Sequence, residues 1–187
     1  MTKLPIPESY WVEDNRFLAG EYPGGYDPET TRRHMDAFLE TGINTFINLT
    51  EANELPSYEE ILKEQAKIYG VDASHQRIPI RDFRVPSSET MTAILDAIDK
   101  AVNAGRCVYV HCWGGVGRTG MVVGCYLVRH GMPNEQALAR VDQLYKSRPV
   151  NFSHPRSPET DQQVEFVRNW WDDPDDLNRN LKYFCEG

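Results

Sequence analysis

The 187-residue sequence predicts an α/β fold: a central, mostly parallel sheet flanked by helices. Three observations carry that expectation. Short apolar stretches of strand length alternate with longer stretches whose apolar residues recur at helical spacing. Asp-Pro, Ser and Gly stand where the pattern changes, as helix starts and stops should. The hydrophobic content, 40%, is enough for one sizeable core without help from disulfides or metal. A single domain over 1–187 is expected, with a core of about 10–171 and an acidic C-terminal tail, 172–187.

The elements follow in order. Residues 10–22, interrupted by Glu13-Asp14-Asn15, read as an antiparallel strand pair added to the sheet edge. Asp27-Pro28 caps and starts a helix that carries Met35, Phe38 and Leu39 and stops at Gly42. Residues 43–49 form a buried strand, and Ser57 with Glu60 makes a capping box for a second helix ending near Gly70. Ile78-Pro79-Ile80 is a short apolar strand running into the loop Arg81-Asp82-Phe83-Arg84. Ser87 or Ser88 opens a third helix whose apolar face is Met91, Ile94, Leu95, Ile98 and Val102, stopped by Gly105. A strand at 107–111, a glycine-rich loop and an apolar helix through 121–128 come next. Two more helices begin at Asn134 and Pro158, and no internal repeat is present.

The segment between that strand and helix, His111-Cys112-Trp113-Gly114-Gly115-Val116-Gly117-Arg118-Thr119-Gly120, is where the chemistry concentrates. Unpaired N–H groups at a helix N-terminus, reinforced by the dipole, favour an anion in the loop. Glycines let several N–H groups converge on one tetrahedral anion, so residues 113–117, Trp113, Gly114, Gly115, Val116 and Gly117, are assigned to phosphate binding. Arg118 closes the ring, because its planar fork can hold two phosphoryl oxygens at once. Helix N-termini and nearby cations stabilise a thiolate, which makes Cys112 the candidate nucleophile. The departing oxygen needs a proton, and Asp82, thirty positions before Cys112, is the candidate donor. Its alternative is a surface pairing with Arg81 or Arg84.

This spacing of His, Cys, Arg and Thr resembles the signature of the cysteine-dependent protein tyrosine phosphatase superfamily, and the chain is most similar to its dual-specificity branch over about 17–171. The resemblance implies a phosphotyrosine-phosphatase-like fold and a cysteinyl-phosphate formed on Cys112. It further implies phosphoryl binding by Arg118, a hydroxyl at Thr119 that helps the second step, and a loop and thiolate supported by His111. The general acid in that branch comes from a loop at about the separation of Asp82. Gln163 matches the glutamine that positions the hydrolytic water in some branches, and its other reading is a solvated helix face.

Other readings of the loop fare worse. Residues 115–120 satisfy a dinucleotide fingerprint, but a helical pattern, not a second strand ending in an acidic residue, follows at Ala137, Leu138 and Val141. The Gly-Lys-Ser/Thr ending of an ATP-binding loop is absent. Cys107, Cys112, Cys125 and Cys185 form no closely spaced pair, so neither metal nor cofactor is implied. Cys107 and Cys125 read as small buried hydrophobes.

Composition narrows the partners. A formal charge of −8 works against nucleic acid and anionic membrane surfaces. There is no apolar run that would span a bilayer and no apolar stretch of a secretory signal, so a cytoplasmic location is expected. The expected substrate is a phosphorylated protein or a small phosphomonoester. The loop holds no lysine, which ranks phosphoprotein ahead of phosphoinositide. Inositol phosphates stay open through Arg81, Arg84, Arg148 and Arg156, as does a module that binds phosphate without cleaving it. Trp113 either lines the pocket wall or packs beneath the loop, and the sequence leaves the oligomeric state open.

Overall fold

The computed structural model describes residues 3–150 and 154–171; the acidic run Asp172-Asp173-Pro174-Asp175-Asp176 and Cys185 lie outside them. The strands are β1 (Ser9–Glu13), β2 (Phe17–Gly20), β3 (Ile43–Asn48), β4 (Ser74–Arg77) and β5 (Cys107–His111). All five residues of β5, Cys-Val-Tyr-Val-His, are buried, with Val108 and Val110 entering one core and Cys107 and Tyr109 the other. A strand apolar on both faces belongs inside a sheet, and β5 is central in the order β1-β2-β5-β3-β4. Its neighbours β2 and β3 run parallel to it, β4 is parallel to β3, and β1 closes the edge antiparallel to β2.

The helices divide by face. α1 (Pro28–Glu40) and α2 (Glu59–Tyr69) bring Met35, Phe38, Leu62 and Ala66 onto Phe46 and Tyr109. α3 (Ser88–Asn103), α4 (Gly117–Arg129), α5 (Asn134–Lys146) and α6 (Asp161–Arg168) cover the other face with Met91, Ile94, Val122, Val141 and Val167. The sheet is therefore sandwiched, and the predicted fold class holds.

Most boundaries fall where capping chemistry puts them. Asp27 accepts from the Glu29 and Thr30 N–H groups with Pro28 at the first helical position, and Ser87 accepts from Thr90 N–H. The first three helices end within two residues of Gly42, Gly70 and Gly105.

Four expectations need correction. No Ser57–Glu60 box forms: α2 begins at Glu59 behind Tyr58, and Glu60 instead holds Lys63 at 2.7 Å. The residues predicted as a strand at Ile78-Pro79-Ile80 lie just past the end of β4 and form no strand, since Pro79 lacks an N–H; Ile78 and Ile80 still donate to Asn48 O and Leu49 O, both at 3.0 Å. α6 starts at Asp161, not Pro158, because Thr160 and Gln163 form a reciprocal capping box there. The central helix already begins at Gly117, which brings its unpaired first-turn N–H groups up to the glycine-rich loop.

Candidate active site

Parallel strands deliver their C-terminal ends to one edge, and the Cys112 loop emerges there from β5. Its carbonyls are anchored outward. Trp113 O accepts from Tyr22 N–H at 2.8 Å, and Val116 O accepts from Ser157 Oγ at 2.7 Å and Gly120 N–H at 3.2 Å. The N–H groups of Gly114, Gly115, Gly117 and Arg118 make no hydrogen bond among the described residues, so they remain for an anion. Gly115 is irreplaceable in this turn: its φ is +66°, and a Cβ on it would lie 2.4 Å from Gly20 C.

Cys112, 3% exposed, opens onto a cavity of about 560 Å³ that is also lined by Asp82, Phe83, Trp113 and Arg118. Trp113 is 54% exposed, which settles its two readings in favour of the pocket wall.

Arg118 has a 1% exposed side chain and five N–H donors to satisfy. Nη1 donates to Glu54 Oε2 at 2.9 Å and Ile80 O at 3.2 Å, and Nη2 donates to Glu54 Oε1 at 2.6 Å. Asp82 Oδ1 lies 3.0 Å from Nη2, so Asp82 meets Arg118 and not Arg81 or Arg84. Nε–H has no partner among the described residues. The fork expected to grip phosphate is thus occupied by a carboxylate the sequence reading missed. Burial works to raise the Glu54 carboxyl, but the hydrogen bonds from Arg118 and Glu51 N–H outweigh it and hold the group below its ordinary value. On Arg118 burial acts to lower the pKa, and Glu54, Cys112 and Asp82 together raise it. The signal for Glu54 was a loop acid just past a strand beside β5; nothing in the sequence separated it from Glu51.

His111 is fully buried and pushed down to about 3, chiefly by burial, against the raising effect of its bond to Cys112 O. As a neutral ring it accepts from Tyr58 O–H at Nε2, 2.7 Å, and directs Nδ1 at Cys112 O, 3.3 Å. Through these two contacts it braces the loop from beneath.

Thr119 Oγ1 is buried with no hydrogen-bond partner. Gln163 is buried, not on a solvated face. Its Oε1 accepts from Thr160 N–H at 3.1 Å, its Nε2 is unpartnered, and its amide is so close to Gly117 that a Cβ there would stand 2.8 Å from Oε1. Among the arginines, Arg148 is buried beside the cavity, while Arg81, Arg84 and Arg156 are exposed, Arg156 pairing with Asp161. Cys107 and Cys125 are buried, and the Cys107 thiol is pushed up to about 11 by burial. No cluster able to hold a metal ion occurs among the described residues, and no helix there is long and apolar enough to cross a membrane.

The chain is similar to known proteins in sequence and fold. The family model described as "PTP-SAK: Swiss Army Knife protein, DSP-PTPase phosphatase domain" matches residues 8–167. "Protein tyrosine phosphatase domain-containing protein 1" of Mus musculus is 35% identical over 130 residues, 64% of this chain and 17% of that protein. "Phosphatidylglycerophosphate phosphatase PTPMT2" of Arabidopsis thaliana is 29% identical over 156 residues, 82% and 61% of the two chains. The chain therefore spans less than two thirds of either curated relative. Among solved structures, Tk-PTP in its active form superposes with a TM-score of 0.64 at 27% identity, covering 87% of this chain and 95% of that one.

Proposed function

Because the chain belongs to the DSP-PTPase phosphatase domain family, we propose that it hydrolyses phosphomonoesters through a cysteinyl-phosphate, with phosphorylated protein, tyrosine foremost, as substrate. The observation that carries this reading is the meeting of Asp82 and Arg118, 3.0 Å apart, at the loop of Cys112. Nucleophile, phosphate ligand and proton donor share one cavity.

The phosphoryl group takes the loop N–H groups, Arg118 Nε–H and the Nη2 hydrogen that Glu54 leaves open, on the side where Asp82 is ion-paired at rest. Asp82, released from Nη2 and protonated from solvent, turns to the leaving oxygen. An S–P bond forms at Cys112 as the P–O bond breaks, and Asp82 gives its proton to the departing oxygen. Water then attacks phosphorus and yields its proton to the Asp82 carboxylate; the S–P bond breaks, Cys112 leaves as thiolate, and phosphate departs. The unpartnered Thr119 hydroxyl is the donor for that departing sulfur, and Gln163 Nε2, beside Gly117, orients the water. No cofactor takes part.

A lipid phosphate is the second reading, favoured by the name of the PTPMT2 relative. The absence of lysine from residues 113–117 speaks for phosphoprotein. The test is hydrolysis of an aryl phosphate with chelator present, followed by a comparison of phosphotyrosine peptides, phosphothreonine peptides and soluble phosphoinositides. Cys112→Ser should abolish turnover. Asp82→Ala should cost roughly 10²–10⁴ on poor leaving groups and much less on activated aryl esters. Activity surviving Cys112→Ser, or equal losses on both ester types, would remove the respective residue from the mechanism.

A further inference from the structure

The hairpin of β1 and β2 places two carboxylates where the catalytic scheme has no use for them. Ser9 pairs with Gly20, and Glu21 N–H donates to Glu8 O at 3.2 Å, so Glu8 and Glu21 stand side by side at the end of the hairpin next to the Cys112 loop. Both line the catalytic cavity, both are half-buried, and neither carboxylate has an ion pair or hydrogen bond among the described residues. Burial, and then the charge of Glu8, push the Glu21 carboxyl up against the lowering pull of Arg148 and His34. Two unpaired carboxylates in a half-dry wall are an unfavourable arrangement that a cation or N–H donors would relieve.

A second observation at the same wall points to a ligand. Arg148, 6% exposed, lies with its guanidinium carbon 4.1 Å from the centre of the Tyr145 ring and donates from Nε to Tyr145 O at 3.1 Å. Its Nη1 reaches only main-chain oxygens, Glu8 O at 3.4 Å and Gly114 O at 3.5 Å. Nη2 has no partner among the described residues, and no carboxylate is within ion-pair reach. A nearly buried cation with an open donor calls for an acceptor oxygen.

We infer that Glu8, Glu21 and Arg148 form a reading wall for the peptide around a phosphorylated residue, with a basic side chain entering between Glu8 and Glu21 and a main-chain carbonyl oxygen accepting from Arg148. This deepens the phosphoprotein reading and rests on it. A phosphatidylglycerophosphate offers ester acceptors and one glycerol hydroxyl but no cation for the two carboxylates, and its own phosphates add negative charge. A multiply phosphorylated inositol sets further negative charge against them. A basic phosphopeptide supplies both complements within reach of the phosphate loop.

The test compares kcat/KM for two phosphotyrosyl peptides, one flanked by Lys and Arg and the other by Asp and Glu, and for phosphatidylglycerophosphate in neutral detergent micelles, each normalised to an aryl phosphate. The basic peptide should exceed the acidic one roughly tenfold at low salt, and the ratio should shrink at 0.5 M NaCl on the order of threefold. In the Glu8→Gln/Glu21→Gln protein the ratio should approach one. The salt response is read in the unsubstituted protein and stands even if the double variant folds poorly. A ratio near one or inverted in the unsubstituted protein, a ratio that survives the double substitution in folded protein, or lipid turned over faster than the basic peptide would overturn the wall. Those outcomes with normal Cys112-dependent aryl phosphate hydrolysis leave the phosphatase reading standing; loss of that hydrolysis is the failure of the reading itself.

Discussion

Arg118 divides its donors between holding itself in place and holding a substrate. Glu54 fixes both terminal nitrogens, so the guanidinium is positioned before anything binds, and in the proposed mechanism Nε–H with one Nη2 hydrogen is left for the phosphoryl group. That arrangement has a pH signature. The Glu54 carboxyl is lowered in the fold, so its contribution to stability is full above the ordinary glutamate value of 4.5 and is lost as pH falls through the lowered folded value. His111 acts in a higher window: the unfolded chain takes up a proton near 6.5 and the folded one only near 3, so stability declines as pH drops below about 6.5, by ~1.4 kcal/mol per pH unit. Urea unfolding between pH 7.5 and 4 should show this decline. His111→Gln should flatten it between 6.5 and 5, and Glu54→Gln should cost ~1.5–3 kcal/mol at pH 7 while leaving that upper slope intact. A slope unchanged in His111→Gln would mean the ring is protonated in the fold. At this scale spacing and residue chemistry singled out Cys112, Arg118 and Asp82 as candidates that the structure gathers at one cavity, while Thr119 entered through the family resemblance alone. Glu54, Tyr58 and Ser157 were hidden because their partners are 64, 53 and 41 positions away.

Among the elements, the loop and the helix after it depend on close backbone approach. Gly115 rests against Gly20 of β2, and the Tyr22 N–H just beyond that strand holds Trp113 O. Gly115→Ala adds both a left-handed strain and a collision with main chain, neither of which a side chain can absorb. It should lower kcat/KM by roughly a hundredfold or more, the scale of a 1 Å misplacement, while circular dichroism keeps the helix signal. Full activity in that variant would mean that the loop has another working conformation. Helix positions were legible from Asp27, Ser87 and the terminal glycines, whose chemistry is local. The start of α2 was not, because Glu60 found Lys63 on its own helix before it found Ser57, and the start of α6 was concealed in a capping box whose Gln163 also lies against Gly117.

For the whole molecule, the sheet order explains why remote segments converge. β5 lies between β2 and β3, so the chain following each of the three, 21–22, 49–54 and 112–118, arrives at one edge, and the loop after β4 brings Asp82 to the same place. Alternation of strands and helices made the fold class readable, whereas the pairing of β2 with β5, about ninety residues apart, is written in no local pattern. The β1–β2 hairpin has one end wedged against the phosphate loop and the other turned away at Asn15, where φ is +59° and the residue is exposed. The two ends should respond oppositely to engineering. A short epitope grafted between Asp14 and Asn15 should leave aryl phosphate turnover within about twofold, whereas one grafted between Gly20 and Glu21 should silence the enzyme. The outer tip of that hairpin is thus a ready handle for tethering the protein to a surface or a reporter with its catalytic mouth still open.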